Sequence, residues 1–147
     1  MKLIRKITIS GSIFITLLNT VSCNEKKSTD NKTPSYKGKP KIEFYETTHD
    51  LGTLTEGETA EYIFEYKNTG TAPLIIKNIT TDCGCTTPEY TKKETLPGEK
   101  NKIKIIFDSE GFRNNIYKTI TIKTNADTNN IKLILTAYIK NDNNLNY

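Results

Sequence analysis

The sequence predicts an all-β protein, an antiparallel β-sandwich of about seven strands. Between positions 41 and 140 apolar residues recur at every second position, as in Tyr62, Phe64 and Tyr66, which is the period of a strand with one buried face. No window in this region has the 3.6-residue period of an amphipathic helix. Turn residues separate the runs at the spacing of a sandwich of about 100 residues. The chain of 147 residues therefore has room for one such domain and an appendage.

Each strand is predicted from its own alternation of apolar and polar residues. The clear strands are 42–45, 61–67, 74–80, 102–108, 116–124 and 131–140, with a short seventh near 89–91. Glycine, proline and asparagine clusters predict turns at 68–70, 96–98, 109–111 and 125–130. The last strand shows the pattern over its whole length, because Leu133, Leu135 and Ile139 share one face with Ala137.

The last two strands are predicted to form a hairpin. A six-residue loop would place Lys123 opposite Lys132, which like-charge repulsion disfavours. A four-residue loop instead pairs Thr121 with Thr136 and places Lys140 beside Tyr117. We therefore expect the four-residue loop.

Residues 1–22 are predicted to be an export signal. Lys2, Arg5 and Lys6 precede an uncharged apolar stretch that is too short for a stable membrane span. Ser22 and Cys23 follow, and a small residue before a lone cysteine resembles the lipobox of bacterial lipoproteins, whose cysteine carries the lipid. Two other interpretations stay open: cleavage near Ser22 without a lipid, and an uncleaved anchor.

The predicted domain organisation follows from this signal. Residues 23–40 comprise the lipidated Cys23 and a tether, expected to be disordered because 24–40 contain no aliphatic residue. Residues 41–140 form the sandwich, and 141–147 form a frayed tail. We expect the lipid on Cys23 to bind the chain to a membrane of the bacterial envelope, the outer membrane. The periplasmic side is favoured because 24–27 lack the acidic cluster that often accompanies surface display.

Composition excludes several classes of protein. A mean hydropathy of −0.56 excludes a polytopic membrane protein, and a formal charge of +4 is too small for a polyanion binder. Residues 1–22 hold three of the 21 basic residues and none of the 17 acidic ones, so removing them lowers the net charge to +1. The sequence lacks a glycine-rich phosphate loop and a nucleophile with a nearby base. We therefore expect no nucleic-acid partner, no cofactor and no enzyme activity other than thiol chemistry.

The most unusual feature is the Cys83-Gly84-Cys85 motif. In an extended chain its two cysteine Cα atoms would lie about 6.5–7 Å apart, at the upper limit for a disulfide, and Gly84 permits the sharper turn that closes the bond. A loop of three residues would gain only about 1.6 kcal/mol in the chain-entropy model, so stability is a poor reason for the motif.

Three interpretations of the two cysteines stay open. They could form an inert turn with buried or paired thiols, a reducible disulfide that serves redox exchange, or a soft-metal site for an ion such as Cu(I). Zinc would need more ligands than Cys83, Cys85 and the distant His49 supply. The chain after residue 22 contains no methionine, which copper sites often recruit.

Several blocks of the sequence, in order, resemble a bacterial family, domain of unknown function 1573 (DUF1573). The blocks are 49–54; Phe64, Tyr66, Asn68 and Gly70; Pro73, Leu74 and Ile76; 83–86 with Pro88; and 97–99 with Ile103, Ile105, Phe107 and Asp108. Leu51 stands where the family usually has Phe, and Asp82 where it usually has Ser. The resemblance covers about 47–139. It implies an immunoglobulin-like sandwich related to Hydin and major sperm protein, in a lipoprotein of the Bacteroidetes type, with no established activity.

Three further groups of residues are weighed as candidates. His49 could be a metal ligand or a base, but a local hydrogen bond is the commoner role of such a residue. The acidic run is interpreted as a solvated strand face and not as catalytic carboxylates; it comprises Glu56, Glu58, Glu61 and Glu65. Tyr117 and Tyr138 face outward and are candidate surface-contact residues.

Two function hypotheses follow from the sequence. The first is a non-enzymatic envelope lipoprotein whose sandwich binds a protein or a glycan, or serves as a structural adaptor. The alternative is a thiol-redox or copper-binding protein that acts through Cys83 and Cys85.

Overall fold

The computed structural model describes residues 35–127 and 130–141. These residues form eight strands and contain no helix long and apolar enough to cross a membrane. The strands are β1 (Ile42–Phe44), β2 (Thr48–Thr55), β3 (Thr59–Asn68), β4 (Ile76–Thr81), β5 (Thr86–Tyr90), β6 (Lys100–Asp108), β7 (Asn114–Thr124) and β8 (Ile131–Lys140). The predicted signal, Cys23, the first part of the tether and tail residues 142–147 lie outside the described ranges.

The strands form two four-stranded sheets. Sheet 1 has the order β1-β3-β6-β5, and sheet 2 has the order β2-β8-β7-β4. All neighbours are antiparallel except β2 and β8, which run parallel. The predicted all-β sandwich is therefore confirmed, with eight strands instead of about seven and with one parallel pair in a fold that was expected to be purely antiparallel.

The core lies between the two sheets. Alternate residues of β3, β6 and β8 point into it, which confirms their predicted apolar faces. The large apolar side chains of these three strands that are at most 1% exposed are Phe64, Tyr66, Ile103, Ile105, Phe107, Leu133, Leu135 and Ile139. Burying a side chain of this size contributes about 1.5–3 kcal/mol, so these side chains hold the two sheets together.

Strand β2 is the element that the alternation did not predict. Leu51 and Leu54 both pack on the core although they are three positions apart, which a regular strand with a period of two cannot achieve. The strand accommodates this spacing with a β-bulge between Asp50 and Thr53, and Gly52 supplies the left-handed backbone conformation with φ of 75°.

The domain begins slightly before the predicted boundary at Lys41. The carbonyl of Lys39 accepts a hydrogen bond from Thr71 N at 3.0 Å, and the carbonyl of Lys41 accepts one from Thr69 N at 2.8 Å. The chain passes so close to Gly70 that a Cβ there would collide with the backbone of 39–41. The last residues assigned to the tether are therefore attached to the sandwich.

The register of the β7–β8 hairpin differs from the prediction. The structure pairs Tyr117 with Thr136 and Thr121 with Lys132. Thr121 therefore does not face Thr136, and Lys140 does not lie beside Tyr117, so the four-residue loop was wrong. The last pair of the ladder is Ile122 with Ile131, which also excludes the six-residue loop.

The cause of this difference is strand β4. Beyond the hairpin ladder, Lys123 pairs with Asn78 on β4. Asn125 then donates its backbone N–H to Ile75 O at 3.1 Å and accepts a bond from Ile75 N on its side-chain oxygen at 2.8 Å. Its side-chain amide also donates to Pro73 O at 2.9 Å. These bonds hold the end of β7 beside the start of β4. The ladder between β7 and β8 therefore ends earlier than the residues of these two strands alone would predict.

Candidate functional site

Tyr117 and Tyr138 lie together on the outer face of sheet 2. Tyr117 is paired with Thr136 and Tyr138 with Asn115, so the two tyrosines are diagonal neighbours on adjacent strands, within reach of each other. Tyr117 is 62% exposed and Tyr138 is 47% exposed. The two predicted contact residues therefore form one aromatic patch.

The patch borders a shallow groove of about 440 Å³, which we call the tyrosine groove. Its lining residues are Asp50, Gly52, Thr53, Asn115, Ile116, Tyr117, Thr136, Ala137 and Tyr138. The bulge in β2 shapes one wall, because it turns both Asp50 and Thr53 outward beside their β8 partners. Asp50 also accepts a hydrogen bond from Gly52 N at 3.0 Å, which holds the bulge in place.

Cys83 and Cys85 form a disulfide in the connection from β4, an edge strand of sheet 2, to β5, an edge strand of sheet 1. Their Cα atoms are 5.2 Å apart, closer than in an extended chain because the backbone turns between them. Backbone hydrogen bonds hold both ends of this connection. Thr119 N donates to the Asp82 carboxylate at 2.9 Å, and Asp108 N donates to Cys85 O at 2.9 Å.

The two sulfurs share one buried hydroxyl. Thr86 is only 4% exposed, and its Oγ1 lies 3.8 Å from Cys83 Sγ and 3.7 Å from Cys85 Sγ. Both cysteines are half-buried. Cys85 additionally packs against the apolar cluster that contains Phe107 and Phe112, so it is the member of the pair that adjoins the core.

A lysine on the inward-facing side of β7 reaches the same cluster. Lys118 Nζ lies 3.8 Å from the centroid of the Phe112 ring and 6.0 Å from that of Phe107, a cation–π arrangement. Burial lowers the pKa of Lys118, and the carboxylate of Asp82 partly opposes this effect. The cluster next to Cys85 is therefore capped by a cationic side chain.

His49 has local partners. Its Nδ1 lies 2.9 Å from a Glu46 carboxylate oxygen, and its ring stacks on Tyr62 with centroids 3.3 Å apart. No group of three or more His, Cys, Asp or Glu side chains in the described ranges could hold a metal ion. The sulfurs of Cys83 and Cys85 are bonded to each other, so in this state they are not thiolate ligands.

The sequence singled out both pairs of residues but missed their surroundings. The additional groove residues Asp50, Thr53, Asn115 and Thr136 depend on a strand whose bulge breaks the alternation. A signal for that bulge exists in the Leu51–Leu54 spacing around Gly52. Lys118 also has a signal, because it lies two positions from both Ile116 and Ile120, which are buried.

The family model described as protein of unknown function (DUF1573) matches residues 42–139, that is 98 of the 147 residues. The chain belongs to the DUF1573 family. The resemblance expected from the ordered blocks is thereby confirmed, while none of the curated proteins matches the DUF1573 chain.

Solved structures similar to the DUF1573 chain show its fold. A Porphyromonas gingivalis protein of unknown function is 24% identical with a TM-score of 0.61, over 74% of this chain and 51% of that one. The ASH/PapD-like domain 7 of human CEP192 is 12% identical with a TM-score of 0.60, over 93% and 99%. The secreted serine protease VesC from Vibrio cholerae is 12% identical with a TM-score of 0.52, over 67% and 23%. The chain thus spans about half of the Porphyromonas protein, and the shared feature is an immunoglobulin-like, PapD-like sandwich.

Proposed function

We propose that this protein is a lipid-anchored protein of the bacterial envelope whose DUF1573 domain is a non-enzymatic binding domain. Its ligand is a glycan that lies in the tyrosine groove. The observation that carries the proposal is the pair of exposed tyrosines, Tyr117 and Tyr138, which are diagonal neighbours on adjacent strands and line the same groove.

The chemistry of the groove favours a neutral sugar. A pyranose ring has an apolar C–H face that stacks on an aromatic ring, and hydroxyl groups at its edge that need hydrogen-bonding partners. The tyrosine rings supply the stacking surface. The hydrogen-bonding partners for the hydroxyl groups come from the polar lining residues Asp50, Thr53, Asn115 and Thr136. The lining contains one acidic residue and no basic one, which suits the uncharged N-acetylhexosamine rings of peptidoglycan and not a phosphorylated or sulfated glycan. A volume of about 440 Å³ is in the range of small-ligand sites.

Binding experiments with the full-length protein in detergent test the groove. We expect the protein to co-sediment with purified peptidoglycan sacculi and a Tyr117→Ala/Tyr138→Ala variant to bind at least about tenfold more weakly, since truncating a central aromatic contact commonly costs more than 1 kcal/mol. Tyr45→Ala is the matched control, because Tyr45 is 57% exposed but lies outside the groove. Equal binding by all three proteins, or no binding, would contradict the proposal. The double variant could instead keep its binding to sacculi but lose a protein that cross-links to the wild type in the native cell. That result would identify a protein as the ligand of the groove.

The anchor places the domain near its ligand. Residue 39 is already attached to the sandwich, so the tether is shorter than expected. A flexible segment of the length of 24–38 would span roughly 19–23 Å, so a lipid on Cys23 would keep the sandwich close to the outer membrane without fixing its orientation. We place the domain on the periplasmic side, where cell-wall glycan is accessible.

The lipid has its own test. A Cys23→Ala protein expressed in the native cell should move from the membrane fraction to the soluble periplasmic fraction, because the acyl chains that bind the membrane are absent. Cys83→Ala is a control that should stay with the membrane. Retention of the Cys23→Ala protein in the membrane fraction would overturn lipid anchoring at Cys23.

A further inference from the structure

The Cys83–Cys85 disulfide supports an inference that is independent of the tyrosine groove. We propose that this disulfide is a reversible redox centre that exchanges with a dithiol of another protein. The bond joins cysteines two positions apart within one loop, so it cross-links no distant parts of the fold. The loop is held by the Asp82–Thr119 and Asp108–Cys85 hydrogen bonds, neither of which uses a sulfur atom. Reduction therefore leaves the connection between the two sheets in place.

The half-buried disulfide adjoins an exposed turn, which gives an incoming thiol a side of approach. Gly84 is exposed, and a Cβ built on it would meet nothing within 4 Å. Cys85 packs on the apolar cluster, whereas Cys83 is not among the residues that contact it. The geometry favours Cys83 Sγ as the atom that is attacked and Cys85 as the leaving group.

The leaving sulfur lies near a hydroxyl group that can stabilise a thiolate. The Thr86 hydroxyl, 3.7 Å from Cys85 Sγ, can donate a hydrogen bond to it. Exchange is faster when the leaving thiol is stabilised as a thiolate. A buried hydroxyl within reach of both sulfurs also serves the reverse reaction.

The exchange balances with a dithiol as the sole reductant. One thiolate of the dithiol attacks Cys83 Sγ, the Cys83–Cys85 bond breaks, a mixed disulfide forms and Cys85 leaves as a thiolate. The second thiolate of the dithiol then attacks its own partner sulfur in the mixed disulfide, and Cys83 leaves. Two electrons pass to the cysteine pair, and the two protons of the dithiol end on Cys83 and Cys85.

Reduction of the folded full-length protein by dithiothreitol tests the proposal. The reduced fraction is measured by alkylation and mass spectrometry of peptide 78–92, and circular dichroism reports whether the sandwich stays folded. We expect reduction without unfolding and reoxidation by oxidised dithiothreitol. Thr86→Val should slow reduction about tenfold because the leaving thiolate loses its donor, while Thr86→Ser should restore the rate. Thr87→Val is the control, since Thr87 is exposed on the same strand.

Variants that keep only one cysteine of the pair test which sulfur reacts with an external partner, and they leave Thr86 unchanged. In a Cys23→Ala background, Cys83 of the Cys85→Ser protein should react with an aromatic disulfide faster than Cys85 of the Cys83→Ser protein. A disulfide that resists dithiothreitol until the domain unfolds would overturn the proposal. Equal reduction rates for Thr86→Val and Thr87→Val would show that the Thr86 hydroxyl does not assist the leaving thiolate. Equal rates for the two cysteine variants would overturn the assignment of Cys83 as the attacked sulfur.

Discussion

Asn68 is a fully buried polar side chain that joins separate segments of the domain. Its amide donates to Ala72 O at 2.9 Å and to Thr95 O at 2.8 Å, and its side-chain oxygen accepts from Gly70 N at 3.0 Å. The same oxygen lies 3.4 Å from Lys41 N, at the start of the domain. One side chain thus ties the end of β3 to the turn that follows it, to the chain before β6 and to the N-terminal segment.

Replacing Asn68 with Ala should be among the costliest single changes in the domain. The substitution removes the hydrogen bonds to Ala72 O, Thr95 O and Gly70 N. A hydrogen bond of this kind contributes about 0.5–1.5 kcal/mol, so we expect a loss of about 3 kcal/mol in the free energy of unfolding. Urea denaturation measures it. Asn78→Ala, at an exposed strand position, should change stability by less than about 0.5 kcal/mol. A similar small loss for both variants would contradict this role for Asn68.

Candidate site residues were predictable from the sequence where an unusual residue type or the apolar alternation distinguished them. The cysteine pair and the outward tyrosines fall in this group. Thr86 does not, because its contact with both sulfurs depends on how the chain crosses from sheet 2 to sheet 1, which no local pattern encodes.

Among the elements, β2 supplies one wall of the tyrosine groove through Asp50, Gly52 and Thr53. The bulge lets two leucines face the core and two polar residues face the groove, where a regular strand would reverse one of each. The positive φ of Gly52 makes this possible, and a Cβ at this position would meet nothing within 4 Å. The conformation, and not the available space, therefore explains the glycine.

Gly52→Ala should consequently weaken both stability and binding. A non-glycine residue in the left-handed region costs about 1–2 kcal/mol, and relief of that strain would flatten the bulge. We expect a loss of stability of this size together with weaker binding to sacculi. Gly84→Ala is the control, because Gly84 has open space and no positive φ. Unchanged binding by a destabilised Gly52→Ala protein would show that the bulge does not shape the site.

For the β7–β8 hairpin, the two strands could be predicted from the sequence but their register could not. Its two strands and their apolar faces follow from alternation, which is a local property. Its register depends on Asn125, whose side chain bonds to Pro73 and Ile75 near β4. Such contacts between distant parts of the sequence outweigh the like-charge repulsion between lysines of the two strands.

At the scale of the whole molecule, composition and periodicity predicted one sandwich domain with an appendage. The parallel pairing of β2 with β8 was not predictable, because β2 lies far from β8 in sequence and its alternation is broken at Gly52. Without that pairing the groove has no second wall. The candidate binding site therefore becomes visible only when the complete sheet is assembled.

Chemical-shift mapping of the full-length protein with soluble glycan fragments released from sacculi tests most directly whether the tyrosine groove binds a glycan. We expect the largest shifts on groove residues such as Gly52, Tyr117 and Tyr138, while Tyr45, just after β1, and Ile63 on β3 stay unchanged. Shifts confined to sheet 1, or no saturable shifts, would contradict the proposal that the outer face of sheet 2 binds a glycan.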